Sequence, residues 1–179
     1  MRKTQRRTLK ELILFGLFPA IIYGAQLAMS PLPNIHLTGM FIMLMTLLFR
    51  TKALIPLYGY VLLVGILNGF NVWWIPYLYI WTVLWGMTML IPKTIPNKVA
   101  AVVYPLVCAL HGLIYGTVYA PAQALIFGFD LKQTVAWIIA GLPFDAMHAA
   151  GNFVAGMELL PLLNALRRFT EGTVTASQS

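Results

Sequence analysis

Six apolar runs, at residues 11–29, 35–49, 53–70, 73–91, 99–120 and 144–166, follow one another with only short pieces of Pro, Gly, Asn or charge between them. A membrane-spanning helix takes about 20 mostly apolar residues, so six such runs leave no room for a separate soluble domain. Of the 179 residues 60% are hydrophobic and 9% charged, too little polar surface for a water-soluble domain to cover itself. The bilayer is the expected solvent. In lipid each segment must satisfy its own backbone donors and acceptors, which selects helices, and no alternating barrel-strand pattern occurs. The expected fold is an all-α integral membrane protein, a bundle of six transmembrane helices with both termini cytoplasmic. Its expected parts are a basic cytoplasmic N-terminus (1–10), the bundle (11–168) and a polar tail (169–179) of disordered composition. An amphipathic piece at 132–142 precedes the last run.

The basic residues test this count. With the N-terminus inside, Lys and Arg should gather at the start, after the second and fourth crossings, and at the end. Arg2, Lys3, Arg6, Arg7 and Lys10 precede the first run, Arg50 and Lys52 follow the second, Lys93 and Lys98 follow the fourth, and Arg167 and Arg168 follow the sixth. Eleven of the twelve basic residues thus fit one orientation, Lys132 being the exception. The first run, long and without a convincing cleavage site, is expected to stay as a helix rather than leave as a signal peptide. A net charge of +7 raises the question of nucleic acid, but the charges are dispersed in short clusters and form no groove-lining stripe. The outer connections are expected at Ser30 to His36, Asn68 to Trp74 and roughly Pro121 to Pro143.

Polar groups inside apolar runs are the candidate chemistry. Asp145, His148 and Asn152 are spaced to share one helix face in the outer half of the last run. An ionisable group there is costly in hydrocarbon and usually lines a cavity. Asp145 has an alternative reading, as an acid in the first turn of a helix opened by Pro143. His111 and Tyr115 share a face of the fifth run with Cys108 and Tyr119, and Gln123 lies just beyond; such a stripe suits a polar organic ligand or an interhelical hydrogen bond. His36 fits either role. Trp73 and Trp74, followed by Tyr77, Tyr79, Trp81 and Trp85 and beside Asn68 and Asn71, offer ring planes and amides to a flat heterocycle, or form an ordinary aromatic belt. Glu158, close to the basic face, reads as snorkelling. Gly16, Ala20, Gly24 and Ala28 put a small residue at every fourth position of the first run, a stripe for close packing within the bundle or for docking a partner.

No Walker loop, HExxH or G-x-S-x-G occurs, and the sole cysteine, Cys108, excludes an internal disulfide or a CxxC pair. No metal site is expected, since the histidines and carboxylates are too few, and no enzymatic activity is expected.

The stretches YPLVCALHGLIYGTVYAPAQALIFG at 104–128 and AWIIAGLPFDAMHAAGNFVAG at 136–156, with the six runs, the basic inner turns and the helix-one stripe, resemble the substrate-binding S components of energy-coupling factor importers. The resemblance implies a multi-pass subunit of a bacterial cell membrane that binds a vitamin or related micronutrient from outside. It also implies partners: a transmembrane coupling subunit and two cytosolic ATPases that use the ATP, this chain carrying no cofactor. The docking residues it implies are Gly16, Ala20, Gly24 and Ala28. The ligand contacts it implies are His36, Asn71, Trp73, Trp74, Gln123, Asp145, His148 and Asn152. A stand-alone carrier and a small intramembrane enzyme are the competing readings.

Overall fold

The computed structural model describes the backbone of residues 3–171 and the side chains of 9–168. Among the described residues there are eight α-helices and no strand: α1 (Lys3–Met29), α2 (Thr38–Phe49), α3 (Leu54–Asn68), α4 (Tyr77–Met89), α5 (Asn97–Leu113), α6 (Tyr115–Phe127), α7 (Leu131–Met157) and α8 (Leu159–Glu171). Short 3-10 turns at Arg50–Ala53 and Val72–Trp74 precede α3 and α4. Four helical stretches, 9–29, 38–68, 97–127 and 131–168, are long and apolar enough to cross a membrane. Large apolar side chains such as Leu12, Ile13, Leu62, Ile66, Leu106 and Ile139 point outward from them, as hydrocarbon permits and water does not.

The second stretch reverses at Arg50. Phe49 packs edge-on against Phe15 and Phe18 near the start of α1, Lys52 forms an ion pair with Glu11 at 2.7 Å, and Asn68 accepts from Tyr23 near the end of α1. Thus α2 runs antiparallel to α1, and α3 parallel to it. Arg50 takes φ +54°, a region that side chains avoid. Its guanidinium holds the turn by donating to the Met89 and Ile91 carbonyls at the end of α4, and its own carbonyl accepts from the Trp85 indole. By length α2 and α4, with 12 and 13 residues, are about 18–20 Å long, shorter than a hydrocarbon core of about 30 Å.

The closest helix pair is α5 with α7. A side chain on Gly112 would meet the Ala149 backbone nitrogen at 2.9 Å, and one on Gly156 would meet Pro105 Cα at 2.7 Å, so both glycines exist to let backbones touch. A third glycine, Gly39 of α2, admits the Asn152 side chain to the same junction. Around this contact the core gathers Ile42, Met43, Leu44, Met45, Leu57, Ile80, Leu84, Leu159 and Leu163, all essentially without exposure.

Several expectations change. The broad outer connection at 121–143 is instead a three-residue turn. Pro121 sits inside α6, and Gly128 ends that helix with φ +70° and an N–H bonded to the Ala124 carbonyl. Asp130 then starts α7 through a reciprocal cap with Gln133, whose backbone N–H reaches the Asp130 carboxylate at 2.7 Å. Two competent caps close together outweigh the break signals of Pro121 and Pro143. The piece 132–142 is therefore the first half of α7. A kink at Leu113–Tyr115 divides the fifth run into α5 and α6. Helix α1 begins at Lys3, within the basic segment, and α8 extends to Glu171, so 169–171 are helical; the remainder of the expected disordered tail lies outside the described residues.

The glycine contacts are testable. Gly156→Leu is expected to lower stability by about 1–3 kcal/mol, read as a fall in the thermal midpoint in detergent. Gly16→Leu, at a position with nothing within 4 Å, is expected to leave that midpoint unchanged.

Candidate functional site

Where α5 gives way to α6, the first amides of the new helix lack partners. Asp145 of α7 supplies one: its carboxylate accepts the Gly116 backbone N–H, at 3.0 and 3.2 Å to the two oxygens. The contact requires glycine, because a Cβ at 116 would lie 2.6 Å from the carboxylate. Asp145 therefore caps a helix, but not its own. The reading of it as a first-turn acid behind Pro143 fails because α7 began fourteen residues earlier, at Leu131. A buried anion at a helix N-terminus is electrostatically favoured, which accounts for a carboxylate almost free of solvent at this depth.

One turn along α7, His148 is buried between two rings. Its centroid lies 4.8 Å from that of Tyr115 and 4.7 Å from that of His36, which hangs from the loop between α1 and α2. That loop is held against α7 where Ile35 fills the space left by Gly151. One turn further, Asn152 donates to the Cys108 carbonyl at 3.2 Å. Asp145, His148 and Asn152 thus share the face expected of them, and that face is turned inward.

His111 extends the cluster across the bundle. It is fully buried, with Nε2 3.2 Å from the Ile80 carbonyl of α4. A carbonyl only accepts, so Nε2 carries the proton and the neutral ring keeps Nδ1 as an acceptor. The ring lies 5.8 Å from Trp81 and 6.0 Å from Tyr115. Trp81 in turn meets Tyr60, Tyr77 and Tyr115 at 6.3, 5.5 and 6.0 Å, and Tyr60 donates to Gln26 of α1. Every helix from α1 to α7 contributes a side chain, α2 through the buried Thr38 at Tyr60, and α2 adds the Gly39 gap. Tyr60 is the member of the cluster that sequence reasoning missed, whereas Tyr77 and Trp81 belong to the aromatic run that follows Trp73 and Trp74. On α3 Tyr60 looks like one more apolar position, and only the fold turns its ring toward Trp81.

Four buried polar atoms in this cluster have no hydrogen-bond partner: His36 Nδ1, Trp81 Nε1, His111 Nδ1 and Asn152 Oδ1. Each costs about 1–3 kcal/mol relative to a satisfied group, and all four are closed off from solvent. Among the described residues no group of three or more His, Cys, Asp or Glu side chains comes together to hold a metal ion.

The remaining expected contacts lie at the rim. Trp73 packs on Tyr77, and its carbonyl accepts from Tyr119 at 3.3 Å, which joins the α3–α4 loop to the cluster. Trp74 faces α3 instead: its indole N–H donates to the Val61 carbonyl, and with Phe70 it covers Gly65. Asn71 is exposed beside Gly69, and Gln123 is half-buried one turn beyond Tyr119. Gly16, Ala20, Gly24 and Ala28 are all exposed, and nothing lies within 4 Å of a side chain built on Gly16 or Gly24. The stripe does not pack inside the bundle; that role on α1 belongs to Leu14, Phe18 and Ile22. In α5 and α6, by contrast, Gly112 and Gly116 do pack internally. Glu158, exposed at the joint of α7 and α8, touches no part of the cluster that the structure describes.

Comparison of the chain with protein-family models, curated proteins and solved structures returned no match.

Two measurements check the site. Asp145→Leu orphans the Gly116 amide in apolar surroundings and is expected to cost about 1–3 kcal/mol of thermal stability. His36, in a loop outside the spanning stretches, has its pKa lowered from 6.5 by burial. The unfolded chain therefore takes up the proton first, and stability is expected to be full above pH 6.5 and to decline as pH falls below it. His36→Phe is expected to flatten that decline in pH-dependent melts.

Proposed function

We propose that this chain is the substrate-binding subunit of an energy-coupling factor type importer. It captures a vitamin or related micronutrient at the outer face and delivers it by docking on a transmembrane coupling subunit with two cytosolic ATPases. The observation that carries the reading is the interior cluster of rings and unpartnered polar atoms, closed over by the His36 loop at one end of an otherwise apolar helical body. A chain with a shielded polar interior and no nucleotide-binding motif suits capture of a small molecule, with the energy supplied by others.

The polarity of the bundle supports the orientation. Arg50, Lys52 and the 90–96 turn lie at the end opposite His36 and Trp73, and basic residues favour the cytoplasmic side. The reversal at Arg50 supports six crossings, with α2 and α4 spanning a layer thinned around them. The exposed stripe on α1 supports docking: a helix face of Gly and Ala with no neighbour of its own is where a second backbone can approach closely in lipid. The chain then works as a multi-pass protein of a bacterial cell membrane, binding without catalysis, while its partners hydrolyse ATP.

Expression of the tagged chain in its own cells is expected to co-purify a membrane subunit and two ATPases. Gly24→Leu is expected to abolish that assembly while sparing ligand retention. His148→Ala is expected to do the opposite, weakening retention roughly tenfold, as read by mass spectrometry of small molecules carried through purification. Concentrative uptake by the chain alone in proteoliposomes would overturn the reading and make it a stand-alone carrier.

A further inference from the structure

The end of α4, the 90–96 turn and the first turns of α5 border an open groove of about 500 Å³. Leu90 and Ile95 stand on one side of it, and Val99, Val103, Val107 and Leu110 on the other. The last four recur at three- and four-residue intervals, so they share one face of α5, turned from the Pro105 and Gly112 positions that meet α7. Valines one turn apart keep that face low, where longer side chains would fill the groove. The wall opposite is fixed, since Arg50 donates to the Met89 and Ile91 carbonyls and Ile91 is buried. The groove opens sideways, away from the bundle: Leu90 is 84% exposed, and Val99 and Leu110 are exposed as well.

Three properties narrow what lies there. Every lining side chain is apolar, which suits hydrocarbon and offers nothing to a polar solute. From Val99 to Leu110 the groove follows α5 for about 16 Å, close to half of a hydrocarbon core of about 30 Å. An acyl tail laid in it therefore reaches from the 90–96 turn to about the bilayer midplane, the depth of one leaflet. The third property is charge at the turn. Lys93 directly follows the lining residue Pro92, and Lys98 directly precedes Val99, each about 3.8 Å of backbone from the groove. Both lysines are exposed, and neither forms an ion pair among the described residues. Helix α5 also starts here without a side-chain cap, so the positive end of its dipole adds to the same field. The described carboxylates are engaged or elsewhere: Glu11 holds Lys52, Asp130 and Asp145 cap helices, and Glu158 lies at the joint of α7 and α8.

We infer that the groove between α4 and α5 seats an acyl tail of an anionic phospholipid, with the lipid phosphate at Lys93 and Lys98. A zwitterionic lipid fits the same groove but brings a cation of its own to the two lysines, so the site selects by headgroup charge. The inference needs only that the chain spans a bilayer, and it holds whether or not the chain captures a micronutrient.

The purified full chain is reconstituted in nanodiscs of equal parts phosphatidylglycerol and phosphatidylcholine with the same acyl chains. It is then extracted into mild detergent, and the lipids it retains are counted by native mass spectrometry. Phosphatidylglycerol is expected to be retained about tenfold over phosphatidylcholine. Lys93→Gln combined with Lys98→Gln is expected to bring that ratio down to about one, with the thermal midpoint in detergent unchanged. Val103→Phe, which occupies the groove, is expected to lower retention of both lipids severalfold. Lys132→Gln, at an exposed lysine of α7, is expected to change neither quantity. Equal retention of the two lipids by the unaltered chain, or a preference that survives loss of both lysines, overturns the inference. Retention untouched by Val103→Phe overturns it too, and if that variant also sheds a co-purifying membrane subunit, the groove is the seat of a partner helix instead. Should Val103→Phe fail to fold, the lysine pair decides.

Discussion

Helices in lipid gain nothing by hiding apolar side chains from one another, since the tails outside are equally apolar, and must associate by fit and by hydrogen bonds. The approach of α5 to α7 is where this chain meets that requirement. Gly112 and Gly156 bring two backbones into contact, and Gly116 and Gly39 leave openings that the Asp145 carboxylate and the Asn152 amide occupy. Without these four absent side chains the polar residues of α7 would have nowhere to go but lipid, where an ionised group costs several kcal/mol. The buried cluster is a consequence of close packing rather than an addition to it.

Within the cluster two kinds of polar group are distinguishable. Asp145 and the His111 Nε2 face the protein's own backbone and complete its hydrogen bonding. Trp81 Nε1, His111 Nδ1 and Asn152 Oδ1 are buried without a hydrogen-bond partner. In His111 and Asn152 the two kinds meet within a single side chain, one polar atom bonding the backbone and the other left without a hydrogen-bond partner. The closure of the site is built from different material: a loop carrying His36, seated on Gly151 through Ile35.

Much of this was readable in advance. The face shared by Asp145, His148 and Asn152 follows from spacing alone, as does the stripe on α1, and both lie where helical periodicity puts them. The direction in which a face points does not follow from spacing. The α1 stripe points outward because Leu14, Phe18 and Ile22 on the opposite face fit the core better, and that comparison needs the neighbours. Prolines misled most: Pro121 and Pro143 read as loop edges, yet the decisive signals were the adjacent Gly128 and the Asp130–Gln133 box. Tyr60 was invisible as a member of the cluster, since an aromatic at helical spacing in an apolar run carries no mark of what it faces. The breaks that bound α2 and α4, at Arg50 and in the turns flanking α4, stand in the sequence, but the helices between them, 12 and 13 residues, are shorter than the apolar runs 35–49 and 73–91.

Glycine-lined helices make a smooth joint, and smooth joints tolerate sliding. On such a surface the van der Waals fit changes little from one setting to the next, so directional bonds must choose among them. Asp145 and Gly116 perform that choice, because the amide that donates to the carboxylate exists only at the kink, and a displacement by one residue, about 1.5 Å, removes it from reach. A single carboxylate thereby acts as a detent, setting the vertical alignment of α7 and with it the height at which His148 and Asn152 meet the rings of the opposite helices.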